Sequence, residues 1–215
     1  MHAAYQHFID GGWGMWPILF WSIVTLGIIV ERALFLFGSS INKDVFLATM
    51  QKCILAGDVA KAVKMCSAAN APLARIVQAG LVKVNRPDEE VQAAMDEAAL
   101  RELPKISART SYLALLANLA MLNGLLGTAT GLIKSFGAVS GASVDPSQKA
   151  AILANGISEA MNCTAFGLGV AIIGLIGFAI LQGKSQALTD DINEVTVQVV
   201  NLVVTNRHSM KPQAA

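Results

Sequence analysis

Three long stretches of this 215-residue chain contain no Asp, Glu, Lys or Arg. They run from Gly11 to Val30, from Thr110 to Ile133 and from Ala160 to Gly183. Each meets the requirement of about 20 apolar residues for a helix that crosses the hydrocarbon core of a bilayer. A helix in a soluble core is rarely free of charge over such a length. The chain is therefore predicted to be an all-α integral membrane protein with three transmembrane helices.

The flanking residues, the cysteines and the net charge argue against several classes of function. The first stretch has no Lys or Arg before it and continues directly into Glu31 and Arg32, which favours a retained span over a cleaved signal peptide. The three cysteines lack zinc spacing and the net charge is only +1, so neither a metal site nor a nucleic-acid surface is predicted. No nucleotide-binding loop or catalytic dyad is visible, and we expect neither a cofactor nor an enzyme.

The distribution of basic residues predicts the orientation. Eleven lie between the first and second stretches, whereas the connection between the second and third has two, Lys134 and Lys149. Because cytoplasmic loops carry the excess of Lys and Arg, the long insertion is placed in the cytoplasm. The resulting segments are a periplasmic tail (1–12), the first transmembrane helix with its interface (13–37), a cytoplasmic helical insertion (38–109), the second transmembrane helix (110–137), a periplasmic loop (138–156), the third transmembrane helix (157–183) and a cytoplasmic helix and tail (184–215).

Turn signals divide the insertion into short helices. Gly57 is suited to end a helix that begins at Asp44, and Asp58 is suited to cap the next one. A further helix is expected from Leu73 to Leu81, and another from Pro87 to Leu103, with a kink at Pro104 before the second span.

The segment from Asp190 to Thr205 allows two interpretations. A periodic apolar seam favours a cytoplasmic continuation of the third helix that contacts other subunits. The β-branched run from Val195 onward favours a strand instead. The seam consists of Leu188, Ile192, Val195, Val199 and Leu202.

Small residues recur on one face of the second and third spans. The most regular are Gly124, Gly127, Gly131, Gly167 and Ala171. Since small residues let membrane helices approach closely, the simpler interpretation is a helix-packing seam. The alternative is that Thr128 and Thr164, which belong to the same faces, line a hydrated ion path.

Three charged residues lie at the ends of the spans. Glu159 either caps the third helix, where its charge suits the positive helix end, or helps to deliver a proton. Glu31 and Arg32 are interpreted as an ion pair at the membrane interface, with Arg32 reaching toward the headgroups.

None of the three spans carries an acid, histidine or lysine near its middle. A proton that crosses about 30 Å of low-dielectric medium needs a titratable group or a water wire. Threonine hydroxyls can bond such a group but cannot hold the charge. If the protein conducts ions, another chain must therefore supply the acid.

At these residues the sequence resembles the MotA/TolQ/ExbB proton-channel family, closest to its ExbB/TolQ branch. The resemblance extends roughly from Gly11 to Leu202. Its strongest parts are Gly124-Leu-Leu-Gly-Thr128 with Gly131, then Gly156-Ile-Ser-Glu-Ala160, Thr164-Ala-Phe-Gly-Leu168 and Val170-Ala-Ile172. Weaker support comes from Glu31-Arg32, from Gly57-Asp58 and from Pro72-Leu73-Ala74-Arg75.

This resemblance implies a homopentameric ring in the bacterial inner membrane, with a periplasmic amino terminus and a cytoplasmic carboxyl terminus. The ring would enclose a dimer of single-span partners similar to ExbD, TolR or MotB, whose membrane aspartate takes and releases the coupling ion, a proton or a sodium ion. By position, Thr128 and Thr164 match the threonines that bond this aspartate, and Glu159 matches the family's acid. Such a stator motor powers protein transport, envelope maintenance or motility.

The sequence departs from the family at several positions, and two other functions are considered. Met121 and Ile173 replace prolines that are usual in ExbB/TolQ relatives, which puts the family's helix kinks in doubt. Asn123 and Asn162 are extra amides within the spans. The main alternative is a passive membrane scaffold whose small-residue face only packs helices. A self-contained secondary transporter is disfavoured, because the chain has no inverted repeat and no charge in mid-span.

Overall fold

The computed structural model describes residues 11–69, 71–140 and 146–206, and within these ranges the chain forms seven helices and no strand. The helices are α1 (Met15–Ser39), α2 (Lys43–Leu55), α3 (Val59–Ala68), α4 (Pro72–Val82), α5 (Asp88–Ser107), α6 (Thr110–Val139) and α7 (Pro146–Thr205). Most of the expected amino-terminal tail, the middle of the expected periplasmic loop and the end of the carboxyl-terminal tail lie outside the described residues, as do His2, His7 and His208.

Three helical stretches among the described residues are long and apolar enough to cross a membrane; the first two contain α1 and α6, and the third lies within α7. This confirms the prediction of an all-α chain with three apolar helices. The chain divides into two compact units. One contains the described residues up to Arg32 together with Arg109–Ile180, and the other contains Ala33–Ala108 with the described residues from Leu181 onward. Both α1 and α7 contribute to the two units.

The short helices begin and end where the turn signals predict. Asp58 accepts a hydrogen bond from the main-chain N–H of Lys61 (3.0 Å) and so caps α3. The preceding residue, Gly57, has a φ of +72°, a left-handed conformation that glycine adopts without steric cost. Asn42 caps α2 through its side-chain oxygen, which accepts from Asp44 and Val45. These local hydrogen bonds explain why α2 and α3 are separate helices.

The helix that contains Pro104 ends beyond the position of the predicted kink. Pro104 lies inside α5, and the chain turns only at Ala108 and Arg109. Arg109 is left-handed, with a φ of +63°, and is the only non-glycine residue with positive φ in the part of the chain that the structure describes. A proline near the end of a helix removes a hydrogen bond but leaves the final turn intact. The interruption between α5 and α6 coincides with this left-handed residue.

The third span belongs to a helix longer than expected. α7 has 60 residues, which corresponds to about 90 Å. It includes residues 146–156, which the charge pattern assigns to a periplasmic loop, and it continues through Thr205. The strand interpretation of the segment from Val195 onward is therefore wrong. The β-branched run remains helical because its apolar residues at helical spacing are buried on one side.

That apolar seam packs within the chain. Leu188, Ile192, Val195 and Val199 are buried among helices of the second unit. Lys43 ties α2 to α7 through ion pairs with Asp191 and Glu194, both at 2.9 Å, and these hydrogen bonds raise the pKa of Lys43. Because these side chains are buried within the chain, they are not available for the predicted contact with another subunit.

The first unit has a core built on α1, α6 and α7. Met15 and Ile18 of α1, Ala120 of α6, and Cys163 and Val170 of α7 are buried together. The rings of Trp21 and Phe166 pack against this cluster. The core therefore combines large side chains of α1 and α7 with the small residue Ala120 of α6.

Candidate functional site

The closest approach in the first unit is between α6 and α7 at Gly124 and Gly167. A Cβ added to Gly167 would lie 2.8 Å from the carbonyl oxygen of Ala120 and 3.1 Å from the Cα of Gly124. A Cβ added to Gly124 would lie 3.3 Å from the Cα of Thr164. The two backbones are in direct contact here, so no larger residue fits without separating the helices.

The same seam extends in both directions and shows that α6 and α7 are antiparallel. Gly131 of α6 faces Ala160 of α7, and Gly127 faces the Cys163 thiol. In the other direction, Gly174 of α7 faces Ala117 of α6. Ala171, also predicted to belong to the seam, is buried. As the residue number rises along α6, the number of the facing residue on α7 falls, so the two helices run in opposite directions.

Thr128 and Thr164 lie at one edge of this seam. Each follows a seam residue by one position, Gly127 on α6 and Cys163 on α7. One residue forward along a helix turns the side chain by about 100° around the helix axis. In two antiparallel helices that face each other, this step brings both side chains to the same side of the pair. Because Gly127 faces Cys163, the two threonines also lie at the same level. The structure therefore brings these residues together, and both are partly exposed.

The protons of both hydroxyls are committed to main-chain carbonyls. Thr164 Oγ1 donates across the seam to the carbonyl oxygen of Gly124 at 3.0 Å, and Thr128 Oγ1 donates to the carbonyl oxygen of Leu125 within its own helix at 2.6 Å. A hydroxyl has one donor and two acceptor lone pairs. In this arrangement both threonines present acceptors at the edge of the seam.

Glu159 lies at the opposite edge. It precedes the seam residue Ala160 by one position, and its carboxylate contacts the main chain of Gly12 in the turn before α1. Gly12 is left-handed, with a φ of +67°. Glu159 also lies well inside α7, whose first residue is Pro146, so it does not cap its own helix. The capping interpretation is wrong, and the structure does not place Glu159 beside the two threonines.

The turn that contacts Glu159 has no counterpart in the sequence-based predictions. A Cβ added to Gly14 would lie 2.8 Å from the Cys163 Sγ and 3.5 Å from the Cα of Gly127. The start of α1 therefore lies against the α6–α7 seam, at the level of the threonines but on the other edge. The signal that could have predicted it is the sequence Gly11-Gly12-Trp13-Gly14, since clustered glycines often mark close backbone approach.

At the predicted interface, the Glu31 carboxylate acts electrostatically on Arg32, as expected, and also pairs with a residue distant in sequence. Glu31 forms its ion pair with Arg109, the left-handed residue that precedes α6. Arg32 is buried in the first unit, with 5% of its surface exposed. The pairing of Glu31 with Arg109 was not visible in the sequence, because the two residues are far apart along the chain.

One of the extra amides is satisfied within its helix. Asn123 donates from Nδ2 to the carbonyl oxygen of Leu119 at 3.0 Å, whereas Asn162 of α7 is partly exposed. On α6, Asn123 and Thr130 lie at the edge opposite Thr128. Thr130 donates to carbonyl oxygens of its own helix. Asn123, Thr128 and Thr130 of α6 are thus divided between two edges of the seam.

The fold and this seam define a multi-pass membrane protein whose second and third spans form a close antiparallel pair. Comparison with known proteins agrees. The sequence profile of the MotA/TolQ/ExbB proton channel family matches residues 68–194. The chain belongs to this family.

Individual relatives support the ExbB/TolQ branch. The chain is 32% identical over 182 residues to ExbB-like protein 1 of Synechocystis sp.. The aligned region covers 82% of this chain and 69% of the relative. It is 29% identical over 160 residues to ExbB-like protein 3 of the same organism, and the aligned region covers 74% of this chain and 76% of the relative. Both are named as biopolymer transport proteins. The Tol-Pal system protein TolQ of Haemophilus influenzae is 35% identical over 98 residues, covering 46% of this chain and 42% of TolQ.

Proposed function

We propose that this chain is the ring subunit of an inner-membrane stator motor that couples ion-motive force to mechanical work through a partner's membrane aspartate. The partner would be a dimer of single-span proteins like ExbD or TolR, enclosed by a homopentamer of this chain. The coupling ion would be a proton or a sodium ion. The observation that carries the proposal is the pair Thr128 and Thr164, at one level and on one edge of a seam without charge.

The hydrogen bonds of the two threonines predict which state of the aspartate they bind. With their protons donated to carbonyls, both hydroxyls can accept a hydrogen bond from a protonated carboxyl group. An ionised carboxylate has no proton to give and would need at least one threonine to break its present bond. The pair therefore favours the neutral acid, the state in which the partner can move past apolar surface.

The experiment compares threonine variants in the assembled complex. The full chain is coexpressed with a candidate single-span partner of the ExbD or TolR type, and the complex is purified and reconstituted in vesicles containing a pH-sensitive dye. Replacing both Thr128 and Thr164 by valine is expected to leave assembly intact and abolish ion flux, because only the hydroxyls are lost. Thr130→Val is the control, since Thr130 lies on the other edge and bonds its own helix.

Two results would contradict the proposal. One is wild-type flux in the Thr128→Val, Thr164→Val double variant. The other is selective ion flux by this chain in the absence of any partner, because the proposed mechanism requires an acid from another polypeptide.

The second candidate function is a passive scaffold that packs partner helices without conducting ions. The bond from Thr164 to Gly124 favours it, because the hydroxyl then acts as a link between two helices. A scaffold predicts that Gly127→Leu disrupts assembly, since Gly127 lies against the Cys163 thiol. It also predicts that the two threonine substitutions do not change the phenotype of the cell.

A further inference from the structure

Asn118 of α6 is a polar side chain that the mechanism proposed above does not use. It follows the seam residue Ala117 by one position, just as Thr128 follows Gly127. One residue forward turns a side chain by about 100° around the helix axis, so Asn118 lies on the same edge of the α6–α7 pair as Thr128. We call this edge, which also carries Thr164, the threonine edge.

Asn118 lies nearer to the beginning of α6 than the threonine pair, and the charge distribution assigns that end to the cytoplasm. It precedes Thr128 by ten residues, which corresponds to about 15 Å along the helix. On α7 the residue at the level of Asn118 is Leu175, because Gly174 faces Ala117. The polar group at this level therefore comes from α6.

The Asn118 amide is open to the surroundings of the helix pair. Asn118 is exposed, and in the part of the chain that the structure describes its amide makes no hydrogen bond. Asn123, by contrast, donates to the carbonyl oxygen of Leu119 in its own helix. An amide at membrane depth is unfavourable against lipid, so it faces water or protein. Asn118 thus indicates that water or another polypeptide covers this part of the threonine edge.

The threonine edge differs on the two sides of the threonine pair. Toward the beginning of α6, exposed polar residues continue with Ser111, which precedes Asn118 by seven residues and so lies on the same face two turns away. Toward the other end of α6, the residues one position after the seam are apolar on both helices. They are Leu132 and Phe136 of α6, and Met161 and Ile157 of α7. Water is therefore favoured on the cytoplasmic side of the pair and disfavoured on the opposite side.

An apolar step separates Asn118 from the threonine pair. It consists of Leu125 and Leu168, each of which follows a seam glycine by one position and is about half exposed. An apolar constriction of this kind opposes the passage of water and ions. Water held at Asn118 would therefore reach the level of the threonines only when a charged or polar group of a partner draws it there.

The chemistry of an amide suits water. The Asn118 side chain offers two N–H donors and a carbonyl oxygen with two lone pairs, and it has no proton that titrates near neutral pH. It can therefore join a chain of waters as donor and acceptor, but it cannot store the charge of the ion. Resting on the proposed function, we propose that Asn118 binds water on the cytoplasmic side of the threonine pair and forms, with Ser111, the hydrated passage between the partner's aspartate and the cytoplasm.

Ion flux through the reconstituted complex of this chain and its partner tests the role of the amide. Asn118→Leu removes the amide at similar volume, and we expect flux to fall by about tenfold, the effect of one lost hydrogen bond on a rate. Asn118→Ser supplies a donor and an acceptor and is expected to recover most of the flux. Asn123→Leu is the matched control and is expected to conduct at the wild-type level, because the Asn123 amide bonds its own helix.

Thiol labelling tests the presence of water without relying on flux. A water-soluble maleimide is applied to the assembled complex carrying Asn118→Cys or Leu132→Cys, and the three native cysteines are buried. We expect rapid labelling of Asn118→Cys and loss of labelling at Leu132→Cys, because the two positions lie on one edge but on opposite sides of the threonine pair. Equal labelling rates at the two positions would overturn the proposal.

The flux results separate this inference from the function on which it rests. If the wild-type complex conducts and the Thr128→Val, Thr164→Val variant does not, wild-type flux in Asn118→Leu overturns the role of Asn118 alone. A wild-type complex that conducts no ions overturns both proposals. Failure of Asn118→Leu to assemble, with assembly restored in Asn118→Ser, would place Asn118 in a contact between polypeptides and would also overturn the hydrated passage.

Discussion

The hydroxyl of Thr164 on α7 donates a hydrogen bond to the carbonyl oxygen of Gly124 on α6 at 3.0 Å. The bond exists because Gly124 and Gly167 let the two backbones meet, so a short side chain on one helix reaches the main chain of the other. The packing seam and the candidate ion path are therefore not separate features. The small residues that close the seam also position a threonine of the path.

The contribution of this bond to stability can be measured separately from function. Thr164→Val is expected to lower the free energy of unfolding by about 0.6–1.7 kcal/mol, the range for hydrogen bonds between membrane helices. Thr164→Ser keeps a hydroxyl and is expected to restore most of this loss. Unfolding is followed in detergent with increasing denaturant. Thr130→Val, which removes a bond within one helix, is expected to change little, and an equal loss there would contradict the assignment.

The close approach at Gly167 predicts an intolerance of even one methyl group. Gly167→Ala places a Cβ 2.8 Å from the Ala120 carbonyl oxygen and is expected to destabilise the protein by about 1–3 kcal/mol. Gly169→Ala is the control, because nothing lies within 4 Å of its added Cβ. There the change is expected to be neutral or stabilising by up to about 1 kcal/mol, since alanine favours helix. Equal effects in thermal unfolding would show that the seam is looser than described.

The contact between Gly12 and Glu159 predicts coupling between the start of α1 and α7. Gly12→Ala introduces strain at a φ of +67° and a Cβ that collides with the Glu159 carboxylate. Adding Glu159→Ala removes the collision but not the strain. The double variant is expected to be more stable than the sum of the single effects by about 0.5–3 kcal/mol.

The measurement of this coupling is a double-mutant cycle in denaturant unfolding, with Gly27→Ala replacing Gly12→Ala as the control. Gly27 lies in open space on α1, so its cycle with Glu159→Ala is expected to be additive. Additivity in the Gly12 cycle within about 0.3 kcal/mol would contradict the contact.

The left-handed conformation of Arg109 predicts an unusual order of stability for its glycine and alanine variants. Glycine and alanine both remove the guanidinium that pairs with Glu31, but only glycine adopts a φ of +63° without strain. Arg109→Gly is therefore expected to be more stable than Arg109→Ala by about 0.5–1 kcal/mol.

Arg101 is the matched control for this order, because it also forms an exposed ion pair but lies inside α5. There the order is expected to reverse, with glycine less stable than alanine by about 1 kcal/mol. Thermal unfolding of the four variants gives the comparison. The same order at both positions would be inconsistent with a left-handed Arg109.

The Cys66 thiol predicts a loss of stability at alkaline pH. Burial, and to a smaller extent Cys53, raises the pKa of Cys66 from 9.0 to about 11. A raised pKa means that the folded state holds the proton more tightly than the unfolded state. The contribution of this thiol to stability is therefore complete below about pH 9 and is lost as the pH rises through about 11.

Denaturant midpoints measured across this pH range test the assignment. The midpoint of the wild type is expected to fall more steeply than that of Cys66→Ala, which has no group to titrate at this position. Parallel curves for the two proteins would show that Cys66 is not responsible.

Much of this fold is determined by patterns that act locally along the chain. Stretches without charge, such as Thr110 to Ile133, are sufficient to predict the membrane helices, because no charged side chain there needs a partner. Asp58 and Gly57 predict a helix boundary because a cap is formed by neighbours in sequence. Thr128 and Thr164 are predicted as a pair by their spacing from small residues and by resemblance to a family.

The tertiary structure alone decided how distant residues meet. It placed Glu159 against Gly12 and Glu31 beside Arg109, and it closed the apolar seam at Ile192 with helices of the same chain. Helical periodicity defines the face on which a side chain lies, but which helix covers that face depends on the packing of the whole chain. Local hydrogen bonds and hydrophobicity therefore determined the helices from sequence, and only three-dimensional packing determined their contacts.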